Sequence, residues 1–224
     1  MFRDRSEAGR KLAAKLLEYR DARPVVLALP RGGAPVAYEI ALALKAPLDL
    51  LFVRKIGVPW QPELAAAAVA DVGGLEIVRN ERVIALAEVP EEYLAEQAKR
   101  ELQEIARRRA MYCEGKPMID VAGRTAIVVD DGIATGATVR AGLQALRRAH
   151  PAKIVLAVPV APPQTIAELA QSADAICCLE TPDDFGAISQ FYWSFEQLTD
   201  DEVVDLLRRA QAQASKGAPA AERQ

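Results

Sequence analysis

The chain has 224 residues, 51% hydrophobic and 26% charged, the usage of an ordinary globular domain and far from that of a disordered chain. Lys and Arg number 28 against 31 Asp and Glu, a formal charge of −3, so no basic surplus exists to meet a nucleic-acid backbone and a dedicated DNA or RNA binder is disfavoured. Three cysteines without a C-x-x-C pair argue against a disulfide framework and a zinc knuckle, and a reducing cytoplasm is the expected location.

The first five residues carry mixed charge and lead into an amphipathic pattern, unlike a secretory leader. Ser6 is a candidate cap for a helix to about Arg20, with Leu12, Leu16 and Tyr19 at helical spacing. Pro24–Leu29 is a short apolar run suited to a buried parallel strand. Pro30-Arg31-Gly32-Gly33 breaks it, and Pro35 suits the start of a helix through Leu44. Leu48–Val53 is the next expected strand, apolar except for Asp49.

A different stretch follows. Pro90 to about Tyr112 is expected to be one long helix, opened by Glu91 and Glu92 and closed by Arg107, Arg108 and Arg109 in keeping with the helix dipole. Glu96–Arg100 and Glu104–Arg108 are i,i+4 pairs, and the apolar stripe of Leu94, Ala98, Leu102 and Ile105 is narrow, so the helix reads as a partly exposed arm with a solvated arginine end.

The strand–helix alternation then resumes: a strand at Thr125–Val129, a Gly-rich turn, and a helix from about Gly136 to Ala149. A strand at Ile154–Val160, a short helix near Pro163–Gln171 and a strand at Ala175–Leu179 complete it. The longest uncharged run, residues 154–167, is broken by prolines and too short to span a bilayer. Thr199-Asp200-Asp201-Glu202 is a capping box before a final helix carrying Val203, Val204, Leu206 and Leu207, and from about Gln211 the chain is expected to fray. The fold class is therefore α/β, a mainly parallel sheet flanked by helices. One domain is expected over residues 1–210, with residues 57–116 as a mobile loop and helical arm or hood insertion and 211–224 as a disordered tail.

In such a sheet, ligands bind at the carboxyl ends of the strands. The first candidate end is Val128-Val129-Asp130-Asp131-Gly132-Ile133-Ala134-Thr135-Gly136-Ala137-Thr138. Small residues there allow backbone N–H groups to form an anion nest at a helix start, and Thr135 and Thr138 add hydroxyls. Two carboxylates beside such a nest would repel a bare polyphosphate but suit a ligand offering hydroxyls or a metal ion, as a sugar phosphate with a vicinal diol does. The plainer alternative is that both acids only cap the turn. No Lys follows the glycines, and G-x-G-x-x-G is absent, so neither a Walker A loop nor a dinucleotide fingerprint is present. Leu29-Pro30-Arg31-Gly32-Gly33 is the second strand end, where Arg31 can meet an anion, although taken alone an ordinary strand-to-helix turn is the preferred reading; Arg54-Lys55 is a third, basic cluster that reads equally as a solvated loop start.

Together these segments resemble the type I phosphoribosyltransferases, which bind 5-phosphoribosyl-1-pyrophosphate (PRPP). The acidic strand end and its Thr-containing loop match that family's signature, Leu29–Gly33 its pyrophosphate loop, and Arg54-Lys55-Ile56-Gly57-Val58-Pro59 its basic segment, in the same order. The resemblance covers residues 24 to about 180 and is best to stand-alone, functionally uncharacterised bacterial members. It implies that Asp130 and Asp131 hold the ribose hydroxyls and that Ala134, Thr135, Gly136, Ala137 and Thr138 cradle the 5′-phosphate. It implies further that Arg31, Gly32 and Gly33, in a loop often bearing a non-proline cis peptide, bind pyrophosphate with Mg²⁺, and that Lys55 neutralises the leaving group. Mg²⁺ is expected mainly through PRPP, with Asp130 and Asp131 as further ligands. The implied partners are PRPP and a small-molecule nitrogenous acceptor, with no nucleic acid or membrane, in a homo-oligomer. Family members for 6-oxopurines have an Asp where this chain has Ala134, which counts against hypoxanthine or guanine as acceptor.

Five of the aromatics, Phe185, Phe191, Tyr192, Trp193 and Phe195, crowd one short stretch and are expected to pack the last helix rather than stack on a base. His150 is expected at a helix end, and Cys177 and Cys178 in the core. Two further readings stay open: a PRPP sensor without turnover, and metal-assisted phosphate-ester hydrolysis, for which no ligand cluster is visible.

Overall fold

The structure, a computed structural model, describes residues 1–217. Helix α1 (Arg5–Lys15) begins one residue before the expected Ser6 cap, because the Asp4 side chain accepts the Glu7 N–H. Strand β1 (Pro24–Ala28) leads through the Arg31 loop into α2 (Gly33–Leu44), which carries Pro35 in its first turn, where a missing N–H costs nothing. Strand β2 (Leu48–Leu50) pairs with β1, and β1 pairs with β6 (Thr125–Val129). After β6 come α5 (Ala137–Arg147), β7 (Lys153–Val160), α6 (Pro163–Leu169) and β8 (Ala175–Glu180). The five strands form one parallel sheet in the order β2-β1-β6-β7-β8.

Every residue of β1 and β6 is buried, because both faces of the sheet are covered and each side chain meets a helix whichever way it points. Val26, Ala28, Ile127 and Val129 pack with residues of α1, α2 and α7 (Asp200–Gly217). Val25, Leu27, Ala126 and Val128 pack with α5 and α6. β8 is an edge strand, so Cys177 and Cys178 are half-buried rather than core, lining a shallow cavity with Leu16 and Tyr19.

The largest departure from the sequence reading lies at Leu48–Val53. That run is two strands: β2 ends at Leu50, and β3 (Phe52–Val58) opens a separate antiparallel sheet with β4 (Gln61–Asp71) and β5 (Leu75–Arg79). The segment expected as a mobile loop is thus largely an antiparallel sheet, with Trp60 exposed at the β3–β4 turn. A short α3 (Glu81–Leu86) leads to α4 (Glu91–Cys113), the expected long helix. α4 packs on β3 and β4 through Leu94, Ala98 and Ile105.

Arg109 is not part of a solvated end. It is buried, its Nη1 bonds Asp49 at 3.3 Å, its Nη2 donates to the Leu50 carbonyl at 2.7 Å, and its Nε lies against Asp71 without hydrogen-bond alignment. This arginine joins α4 to both sheets. Helix α7 runs to Gly217, so residues 211–217 continue the helix instead of starting the expected tail, and residues 218–224 lie outside the described residues. Among the described residues no helix is long and apolar enough to cross a membrane.

Candidate active site

The strand order reverses between β1 and β6: from β1 the chain moves to β2 on one side, and from β6 to β7 and β8 on the other. The crevice at such a switch point, at the carboxyl ends of the strands, is where open α/β sheets bind ligands. Ala28 and Val129 pair in register, and the Leu29 N–H donates to the Val129 carbonyl at 2.9 Å, so the Arg31 loop and the acidic loop leave the sheet side by side.

The twin glycines exist for this contact. A Cβ on Gly32 would sit 2.2 Å from Asp131 Oδ2, and one on Gly33 would sit 2.5 Å from the Val129 carbonyl oxygen. The peptide bond Pro30–Arg31 is cis. Asp131 is buried, whereas Asp130 keeps some solvent contact and accepts the Asp131 N–H on Oδ1 at 2.9 Å. Burial at the strand end, then the Asp131 charge, raises the Asp130 pKa well above the usual carboxylate value.

The loop from Ala134 to Thr138 closes over the start of α5. Gly136 takes a φ of 71°, a left-handed conformation that glycine adopts without a Cβ penalty. Among the described residues none of the N–H groups of Ala134, Thr135 and Gly136 donates a hydrogen bond, and Ala134 and Thr135 are exposed. The Thr165 hydroxyl donates to the Ala134 carbonyl at 2.8 Å and fixes the outer side of the loop. Free amides, a helix start and open space are the ingredients of an anion nest.

Arg31 lies between two cavities. One, of about 320 Å³, also touches Gly32, Asp131, Arg5 and Phe195. The other, of about 350 Å³, is lined by Arg31, Arg107, Arg108, Tyr112 and Asp200. Arg31 Nη1 donates to Asp200 at 3.2 Å, and the Tyr112 hydroxyl donates to the same carboxylate. The Tyr112 hydrogen bond, with Arg31 as a further cause, holds Asp200 below the usual carboxylate value, while burial and that carboxylate push Tyr112 up to about 12. Arg107 and Arg108 share Glu104, which they hold at about 2.

A profile of the phosphoribosyl transferase domain matches residues 3–196. The chain belongs to this family. Among curated proteins, "Putative phosphoribosyl transferase Rv0571c" of Mycobacterium tuberculosis is 46% identical over 211 residues, covering 94% of this chain and 47% of that protein. The chain thus spans about half the length of the curated relatives it matches. Among solved structures, TT1426 from Thermus thermophilus has a TM-score of 0.83 and 37% identity, covering 93% of this chain and 98% of that one. The parallel five-stranded sheet flanked by helices is the fold of this phosphoribosyl transferase domain.

Of the residues singled out by sequence, the fold brings Arg31, Gly32, Gly33, Asp130 and Asp131 together. Ala134, Thr135, Gly136, Ala137 and Thr138 form the adjoining loop and helix start. Lys55 lines neither of the two cavities that Arg31 touches. Lys55 bonds Glu63 at 2.7 Å and lines another cavity, of about 510 Å³, with Ala137 and Arg140 at the first turns of α5. Arg54, on the opposite face of β3, bonds Glu101 of α4 at 2.6 Å.

Sequence reasoning missed Arg107 and Arg108 as cavity residues, and it missed Arg5. For Arg107 and Arg108 the arginine run itself was the signal. For Arg5 no local signal exists, because its partner lies 126 residues away. Phe191, Tyr192 and Phe195 pack on the amino-terminal segment rather than the last helix, with Phe2 5.5 Å from Tyr192 between ring centres and Tyr192 5.1 Å from Phe195, whereas Trp193 is exposed. His150, at a φ of 52°, ends the α5 turn, as expected of a helix-end residue.

Proposed function

We propose that the chain is a Mg²⁺-dependent phosphoribosyltransferase that moves the 5-phosphoribosyl group of PRPP to a nitrogenous acceptor and releases pyrophosphate. One observation carries the reading: an acidic pair, a loop of unbonded amides and an arginine loop meet at the switch point of the parallel sheet. Asp130 and Asp131 accept the ribose hydroxyls. The amides of Ala134 to Thr138 and the hydroxyls of Thr135 and Thr138 take the 5′-phosphate. Arg31, with the loop amides of Gly32 and Gly33, takes the pyrophosphate, and the Arg107–Arg108 cavity extends that positive wall. Lys55 adds positive charge from the α5 side.

The donor set also bears on the metal. Among the described residues no group of three or more His, Cys, Asp or Glu side chains could cage an ion. This fits Mg²⁺ held mostly by substrate phosphates, with at most the two carboxylates beside it. Bound there, Mg²⁺ would neutralise charge on the departing pyrophosphate. The protein's own part is to orient the sugar and to place donors where negative charge develops as the bond to the ring carbon breaks.

The test is calorimetric titration of PRPP with Mg²⁺, with and without a pooled small-molecule cell extract, followed for pyrophosphate. Release only with extract is the expected result, and fractionation then finds the acceptor. A single saturating heat unchanged by extract would assign the site to sensing. Asp131→Asn is expected to lower turnover at least about 100-fold, as loss of a charged partner to the sugar costs several kcal/mol, and to lower the thermal midpoint as well, because the buried Arg5 guanidinium loses its carboxylate. Full turnover in that variant would overturn the assignment.

A further inference from the structure

Arg5 occupies an unfavourable place for a cation. It is the first residue of α1, where the helix dipole favours negative charge. What holds it there is the site. Arg5 Nε donates to Asp131 Oδ2 at 2.7 Å, with only 11% and 10% of the two side chains exposed. Its Nη1 donates to the Glu196 carbonyl at 2.8 Å, and its guanidinium lies 3.8 Å from the centre of the Phe195 ring. The guanidinium is therefore fixed in all three dimensions, by two hydrogen bonds and one ring face.

Asp131 is gripped on its backbone as well. The Tyr192 hydroxyl donates to the Asp131 carbonyl at 2.6 Å, and Tyr192 packs on both Phe2 and Phe195. One cluster, built from the amino-terminal segment and residues 192–196, thus holds both the main chain and the side chain of the acid. The grip is one-sided. Arg5 takes Oδ2, and among the described residues Oδ1 has no basic partner. A carboxylate accepts on both oxygens, so one remains for a ligand. The same cavity that Asp131 lines is walled by Arg5, Arg31 and Phe195.

We propose that Arg5 is a positioning residue of the ribose subsite: it pins Asp131 through one carboxylate oxygen and leaves the other to accept a sugar hydroxyl. The inference rests on the phosphoribosyl reading of the site. Selectivity for the hydroxyl-bearing sugar then depends on how Arg5 holds Asp131. A free carboxylate can turn away from a ligand lacking the hydroxyl, whereas a pinned one is left unpaired and penalises it.

The test compares ribose 5-phosphate with 2,3-dideoxyribose 5-phosphate by calorimetry on the wild-type chain and on Arg5→Gln, Arg5→Lys and Asp131→Asn, with thermal melts of each. The wild type is expected to prefer the ribose compound at least about tenfold. Arg5→Gln should lower that preference to the level of Asp131→Asn, while affinity for the dideoxy compound, held by the phosphate loop alone, stays within about threefold. Arg5→Lys keeps the charge without the planar fork and should fall between. If Arg5→Gln does not fold, Arg5→Lys carries the test, with a several-fold loss of preference expected. A folded Arg5 variant with the wild-type preference, or one that weakens both compounds equally, overturns the inference and leaves the phosphoribosyl reading standing. A wild type that binds neither compound overturns both.

Discussion

Gly32 has no room for a side chain because the Asp131 carboxylate lies where its Cβ would be, 2.2 Å from Oδ2. A flexible acid could swing aside, but Arg5 holds this one. Gly32→Ala is therefore expected to cost about 1–3 kcal/mol, the range for overpacking a tight contact, and to weaken ribose 5-phosphate binding in parallel. Denaturant unfolding and calorimetry check the two effects. Asp130 gives a pH prediction. Its raised pKa means that the folded protein keeps a proton that the unfolded chain releases in the ordinary carboxylate range. The resulting stability is fully present below the unfolded value and is lost as pH rises through the folded one. Asp130→Asn has no such loss, so its thermal midpoint should gain on the wild type between about pH 5 and pH 8. An equal gap at both pH values would contradict the assigned shift.

At the scale of elements, legibility followed side-chain type. β1, β6 and β7 are largely apolar runs containing two to four β-branched residues each, and the sequence expectation matches them to within a residue or two. β4 is different: Ala65-Ala66-Ala67-Ala68 favours helix locally. Packing overrides that preference, because Ala66, Ala67 and Ala68 are buried in a sheet lying between α4 and α5, where small side chains let both helices approach. Arg109 was legible and overlooked. Leu94, Ala98, Leu102, Ile105, Arg109 and Tyr112 follow one another at spacings of four or three, so the arginine falls on the apolar stripe. The acidic pair and its loop were legible because their chemistry is contiguous; Arg5 was not, because its meaning depends on a fold contact. The capping box at α7 was also readable and formed: the Thr199 N–H donates to Glu202 at 2.7 Å and the Glu202 N–H to the Thr199 hydroxyl at 3.3 Å. Thr199→Ala is expected to cost about 0.5–2 kcal/mol, read by urea unfolding. It should also loosen Asp200, the first residue of α7 and the partner of Arg31.

Across the whole molecule, two sheets are joined by one buried arginine. Arg109 reaches Asp49 in β2 and Asp71 at the end of β4, with Phe52 under its guanidinium at 5.0 Å. Arg109→Met would leave two buried carboxylates without their cation, expected to cost about 3–5 kcal/mol. Adding Asp49→Asn and Asp71→Asn should recover much of that loss, because the penalty lies in the stranded charges. Chemical denaturation of the single and triple variants decides it, and a single variant as stable as the wild type would contradict a stabilising role for Arg109 between the sheets.

The pinned carboxylate also has a timetable. Phe2 donates to the Phe191 carbonyl at 2.7 Å and receives the Trp193 N–H at 2.9 Å, while Arg5 waits for Glu196, 191 positions later. At roughly 5–20 residues per second, a ribosome needs on the order of 10–40 s to supply that strap. Within that interval the strands and the phosphate loop are synthesised before residues 192–196, so the first helix has no seat for its arginine until the end. A nascent chain paused short of Tyr192 therefore presents its phosphate loop with the neighbouring acid still unheld, and the site becomes selective only when the two distant stretches close on each other.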